Sequence, residues 1–200
     1  MPLNPTILPA LLMLAALPLP ARLVAENVVV FARGESVSLG SATPEAPKDP
    51  ARAAFLAEAQ KDLSGHGQFD AEFPLINPPD WGRTVSAATM GGLRIRRSFP
   101  GGLVFDLELK SLLPGRPYVL CINGRPDHPG NELLPESVPG HEAEKFYDFC
   151  TVTTDARGGY HGGFALMLRS GAYNVHFYVK DPADFKIVLY GLEYFDFTVK

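Results

Sequence analysis

The chain has 200 residues, with 18 Lys and Arg against 22 Asp and Glu, a length that suits one well-buried core and is short for two. A net charge of −4 leaves no sustained basic field to collect phosphates, so nucleic acid is not an expected partner. The 19 Gly and 19 Pro sit beside 46% apolar residues, which marks many turns between buried segments and points to an all-β protein.

From Ile7 to Leu19 the chain reads ILPALLMLAALPL, an uncharged run that matches the apolar core of a signal peptide and is short for a membrane-spanning helix. No Lys or Arg precedes it, so the α-amino group is its only positive charge. Cleavage after Ala21 or Ala25 would release an exported domain, periplasmic or extracellular. Retention would instead make residues 3–25 a membrane anchor, because an attached apolar segment must be buried somewhere. The expected division is therefore residues 1–25 as leader or anchor and 26–200 as one domain.

Asn27 to Ala32 (NVVVFA) is a β-branched run and the expected first strand, pairing with Ser36 to Leu39 across Arg33-Gly34-Glu35. Asp49 is a good N-cap, Pro50 suits the first helical position, and Phe55, Leu56, Ala59 and Leu63 share a face, which predicts one short helix over residues 50–63. From His66 to Met90, Phe73-Pro74, Asn77-Pro78-Pro79 and Trp81-Gly82 interrupt any period, so an irregular segment packed by its aromatics is expected. Trp81, the single tryptophan, is expected as a cover over the core.

Leu93 and Ile95 alternate with Arg94 and Arg96. Leu103, Phe105, Leu107 and Leu109 alternate with Val104, Asp106, Glu108 and Lys110 about a Phe-Pro-Gly-Gly turn, the strongest hairpin in the sequence. Its arginines are expected to face Asp106 and Glu108 as cross-strand ion pairs. Strands are also expected at Tyr118 to Asn123, Phe146 to Thr153, Tyr160 to Leu168, Ala172 to Lys180, Lys186 to Tyr190 and Tyr194 to Val199. In the segment from Ala172 to Lys180, Tyr173, Val175, Phe177 and Val179 point one way and Asn174, His176, Tyr178 and Lys180 the other.

Two corners share a cue. Leu113-Pro114-Gly115-Arg116-Pro117-Tyr118 and Leu168-Arg169-Ser170-Gly171-Ala172-Tyr173 each carry a leucine, a turn and a tyrosine opening the next strand. They resemble the tyrosine corner of immunoglobulin-like and fibronectin type III domains. The resemblance implies a Greek-key β-sandwich of immunoglobulin/fibronectin-III-like architecture with one short helix, in which Tyr118 and Tyr173 are structural. It implies no activity.

Cys121 and Cys150 lie in separate strands. In an oxidising compartment a disulfide closing a loop of about 30 residues could contribute on the order of 3 kcal/mol. In a reducing one, both would be small buried apolar residues.

The stretch from Gly124 to Lys145 is an insertion with four prolines and three glycines. Five carboxylates against Arg125 and Lys145 give it a local charge of −3. A loop this long inside a compact domain is usually functional, so Asp127, His128, Glu132, His141, Glu142 and the adjoining Tyr147 are the candidate binding residues.

No Walker loop, dinucleotide fingerprint, HExxH or nucleophile elbow occurs. The histidines lack the spacing of a transition-metal site and read as solvated, so no metal and no cofactor is expected. Asp148 and Asp196 lie between aromatic residues and are expected to face outward. Tyr147, Tyr160, Tyr178, Tyr190 and Tyr194 would suit a carbohydrate platform, or simply half-buried strands. The expectation is an exported domain without catalytic activity, working by contact with other protein subunits as an accessory member of an assembly at a membrane surface. The alternatives are a soluble periplasmic or secreted module holding a sugar or peptide, and a metal-dependent enzyme using His128, His141 and nearby carboxylates.

Overall fold

A computed structural model describes residues 28–32, 35–38, 50–61, 69–125, 127–130 and 145–200. The apolar N-terminal segment, Asp49, Leu63 and most of the long insertion lie outside the described residues. No described helix is long and apolar enough to cross a membrane.

The architecture is mostly β, in one mixed sheet with a single short helix among the described residues. Its strands are β1 (Val28–Ala32), β2 (Glu35–Ser38), β3 (Ala71–Ile76), β4 (Met90–Ile95), β5 (Ser98–Phe99), β6 (Gly102–Lys110), β7 (Pro117–Gly124), β8 (Lys145–Thr153), β9 (Tyr160–Met167), β10 (Gly171–Lys180), β11 (Ile187–Gly191) and β12 (Phe195–Val199), and the helix α1 spans Pro50–Lys61. Pairing runs β2-β1-β9-β6-β4-β3-β11-β10. At β10 the sheet branches: β7, followed by β8, lies on one edge, while β12 and β11 share the other.

Period-2 alternation drives this arrangement. Leu93, Ile95, Leu103, Phe105, Leu107 and Leu109 from β4 and β6 are buried, and so are Tyr173, Val175, Phe177 and Val179 from β10. The two groups meet through Phe105, which stacks on Phe164 at 4.8 Å and meets the edges of Phe149 at 5.8 Å and Phe177 at 5.6 Å. The sheet thus turns back so that β6 and β9 face β8 and β10. The helix covers the opposite side of the β6–β9 pair, where Phe55 and Ala59, one turn apart, bury themselves on Phe99, Val104 and Ala165.

The irregular segment expected between His66 and Met90 contains a strand. β3 pairs with β4 from Ala71↔Ile95 to Leu75↔Gly91 despite Pro74. A proline lacks the N–H a ladder needs, but the far edge of β3 is paired only at Leu75 and Ile76, with β11, so residue 74 sits where one missing donor is tolerated. The Phe-Pro-Gly-Gly turn also differs from a plain hairpin, because Ser98 and Phe99 leave it to pair in parallel with Thr198 and Val199. Of the expected charge pairs, Arg94–Asp106 forms, whereas Glu108 faces Gly92 and takes Lys110 of its own strand.

Tyr173 Oη donates to the Arg169 carbonyl at 2.7 Å, and Tyr118 Oη accepts the Leu113 N–H at 3.2 Å. The turn Asp155-Ala156-Arg157-Gly158 closes with Gly158 at φ +75°, where an added Cβ would lie 1.9 Å from the Leu112 carbonyl oxygen.

Candidate functional site

The most distinctive surface is the outer face of β8, β7, β10 and β11. Register brings Tyr190, Tyr178, Cys121 and Asp148 into one row across the four strands, and His176, Asn123 and Phe146 into the next. These residues alternate with the core set of each strand, so their side chains leave the sheet on the side away from the Phe105 cluster.

Aromatic rings connect along this face. Trp81 sets its edge on Tyr190 at 5.1 Å, Tyr190 meets His176 at 6.5 Å, and His176 meets Tyr178 at 5.7 Å. Tyr178 then stacks on Phe146 at 6.2 Å. His176 also lies parallel to Tyr194 with centroids 3.7 Å apart, and its Nδ1 is 3.1 Å from Tyr178 Oη. Arg125 stands over Tyr194. Trp81 is 52% exposed, so the chain of rings opens to solvent at that end.

At the other end the face is polar and closed. Lys180 Nζ donates to Asp148 Oδ1 at 2.6 Å and sits 5.1 Å from the centre of the Phe146 ring. The Lys180 side chain is only 7% exposed. Burial opposes its charge, yet the neighbouring Cys121 and Asp148, which it also meets by hydrogen bonds, outweigh burial and leave its pKa raised. Burial first, and Asp148 next to it, push the Cys121 thiol well above its ordinary range against the pull of Lys180. At neutral pH this corner therefore holds an ammonium and a protonated thiol. A protonated, buried thiol is a poor nucleophile, so the cluster fixes one edge of the face and offers no activated group.

The expected binding residues do not converge. Tyr147 is wholly buried opposite Ile122, its ring 6.2 Å from Phe149, and cannot touch a ligand. The cause is a bulge between Leu120↔Cys150 and Cys121↔Asp148, which turns Phe149 and Cys150 into the same interior. Asp127 is exposed, and His128 accepts the Gly130 N–H at Nδ1 at 3.0 Å, leaving Nε2 as its one ring nitrogen for another contact. Glu132, His141 and Glu142 lie outside the described residues. No group of three or more metal-ligating side chains gathers among the described residues.

The possible Cys121–Cys150 bridge does not form in the structure: both thiols are free and buried. Cys150 belongs to the core cluster with Phe149 and Val152, while Cys121 shares the outer face with Asp148 and Lys180. The same bulge separates them. Trp81 is corrected as well, since it covers Tyr190 on the outer face and leaves the core to other side chains.

Tyr178, Tyr190 and Tyr194 do share the ring-lined face, whereas Tyr160 packs against the core. Asp148 and Asp196 leave the core side of their strands as expected, and Asp196 accepts a hydrogen bond from Asn174 at 2.7 Å. Sequence reasoning missed the grouping of Lys180, Asp148 and Cys121, and that of Trp81 with Tyr190. The strict alternation of β10 already put His176, Tyr178 and Lys180 on one side; their neighbours depend on strand register.

Elsewhere, an open cleft of about 650 Å³ is lined by Glu108, Lys110, Ser111, Arg157, Tyr160 and His161, among others. Within it Lys110 pairs with Glu108, and His161 Nε2 lies 3.0 Å from Asp106 Oδ1.

No protein-family model, no curated protein and no solved structure matches this chain.

Proposed function

We propose that this chain is an exported domain without catalytic activity that works by contact, as an accessory subunit of a protein assembly at a membrane surface. The observation that carries the reading is the run of rings from Trp81 through Tyr190, His176 and Tyr178 to Phe146, with Tyr194 and Arg125 beside it. Trp, Tyr and Arg are the residues that dominate binding energy at protein interfaces; here Tyr178 and Tyr190 stand on strands, while Arg125 and Tyr194 sit at strand ends and Trp81 in the turn beyond β3. Export and membrane association are supported by the Ile7–Leu19 segment of the sequence.

A Greek-key sandwich of immunoglobulin/fibronectin-III-like type is the architecture we infer. Supporting it are the two tyrosine hydrogen bonds and the connections β6 to β7 and β8 to β9, each of which passes from one facing half of the sheet to the other.

The test is the size of the native particle. Extracted in mild detergent, the full chain should run as part of a larger complex, and the double variant Trp81→Ala, Tyr194→Ala should run as a free monomer with an unchanged melting temperature. If the unaltered chain runs alone, the reading is wrong.

A second reading, a soluble module that stacks a sugar or peptide on the same rings, is favoured by the open end of the face at Trp81. It predicts saturable quenching of the single tryptophan by oligosaccharides in the absence of any protein partner.

A further inference from the structure

Five large apolar side chains are exposed among the described residues, and three of them lie along β11: Phe185 before its first residue, Leu192 after its last, and Trp81 against Tyr190 within it. Trp81 touches Tyr190 at 5.1 Å, Leu192 follows Tyr190 by two residues, and Phe185 belongs to the turn that leads into the strand. Isolated exposed apolar residues need no explanation, but the segments carrying Trp81 and Phe185 are fixed in place.

The fixing is built from both loops. Asn77 Nδ2 donates to the carbonyls of Ser86 at 3.0 Å and Thr89 at 3.2 Å, which staples the segment carrying Trp81. The Arg83 N–H donates to the Ile187 carbonyl at 2.8 Å, and the Arg83 guanidinium binds Asp181 and, at 3.0 Å, Asp184. Asp181 in turn accepts the Ala183 N–H at Oδ1 at 2.9 Å, and its carbonyl accepts the Phe185 N–H at 2.8 Å. This network holds Phe185 at φ +56° with half its surface in water. A bulky side chain rarely adopts that conformation, and an exposed ring recovers little of the strain inside the molecule.

Charge completes the pattern. Each apolar residue has an exposed carboxylate as its chain neighbour: Asp80 beside Trp81, Asp184 beside Phe185 and Glu193 beside Leu192. With Asp181, four carboxylates stand against Arg83 and Lys186, a local charge of −2 counted from the sequence.

We propose that Trp81, Phe185 and Leu192 dock into an apolar groove of a partner protein whose rim carries lysine and arginine. The inference rests on the contact reading above and names the partner's chemistry. Complementary rim charge sets the orientation of approach and the rate, while the central apolar side chains set the lifetime of the complex. An acidic rim disfavours the anionic headgroups of a lipid surface.

Zero-length coupling with a water-soluble carbodiimide, applied to the full chain in its native extract and read by mass spectrometry, tests this. The expected result is that Asp80 or Glu193 couples to a lysine of a different protein, and that Phe185→Gly cuts this yield about tenfold or more. That variant relieves the backbone conformation, so its melting temperature should hold or rise, which separates lost contact from lost fold. Coupling to a partner only through other carboxylates, such as Asp127 or Glu72, would overturn the proposal while leaving the contact reading intact. Coupling to a second copy of this chain would overturn it. If no second chain couples at any residue, the contact reading itself fails and the proposal with it.

Discussion

Lys180 on β10 reaches across β7 to place its ammonium 2.6 Å from the Asp148 carboxylate on β8, so one ion pair spans three strands of the outer face. Both charges leave most of their water behind, Lys180 more so than Asp148, whose side chain is 24% exposed. Such a pair contributes little net stability when intact, but removing one partner strands the other.

Lys180→Ala should therefore lower stability by about 3 kcal/mol, less than a wholly buried pair would lose because Asp148 keeps part of its hydration. In a chain of this size that corresponds to a fall in Tm of roughly 6–12 °C. The double variant Lys180→Met, Asp148→Leu should recover most of the loss, and a thermal-denaturation cycle over the four proteins measures the coupling.

Alkaline pH should destabilise the protein earlier than lysine titration alone would. Burial raises the folded pKa of Cys121 and Cys150 above the ordinary thiol value of 9.0, so both thiols bind protons more tightly in the folded state. Their contribution is fully present below pH 9.0 and is lost as pH rises, because the unfolded chain then releases protons that the folded one retains. Lys180 has the same sign, with its loss beginning above its ordinary value of 10.5. Urea unfolding between pH 7 and 10 should show a falling stability from about pH 9, and Cys150→Ala should flatten that slope.

Thiol-specific reagents should leave both cysteines unlabelled in the folded protein and label both in denaturant, without prior reduction. Intact mass should be the same before and after reduction, since Cys121 and Cys150 are free.

Tyr173→Phe should cost about 1 kcal/mol through the lost hydrogen bond to the Arg169 carbonyl, with the aromatic stack on Phe197 at 4.7 Å retained. Gly158→Ala should cost more. It forces a side chain into positive φ and brings Cβ to 1.9 Å from a carbonyl oxygen, so the turn between β8 and β9 must shift. Chemical denaturation of the two variants gives the comparison.

How far the sequence could be read follows from which signals are local. Alternation is local, so β6, β9 and β10 and their buried faces were legible, and the pair Phe55 and Ala59 marked the helix face. β3 was hidden because Pro74 interrupts its pattern, although pairing with β4 survives where the far edge lacks a partner. The outer face was half legible: His176, Tyr178 and Lys180 share a side by parity alone. That Lys180 meets Asp148 and Cys121 depends on cross-strand register, which a bulge at Phe149 and Cys150 shifts by one residue. The same bulge buried Tyr147 and parted the two cysteines. Trp81 was misassigned because its position is set by Arg83 binding Asp181 and Asp184, about a hundred residues along the chain.

The most direct test of the contact surface uses Trp81 as its own probe. Hydroxyl-radical footprinting can compare oxidation of Trp81 and Tyr190 in the chain within its native extract and in the same chain purified alone. The account predicts strong oxidation of the purified chain and severalfold protection in the extract, confined to Trp81, Phe185 and the neighbouring rings. Equal oxidation of Trp81 in both samples would contradict the claim that this face is where the protein works.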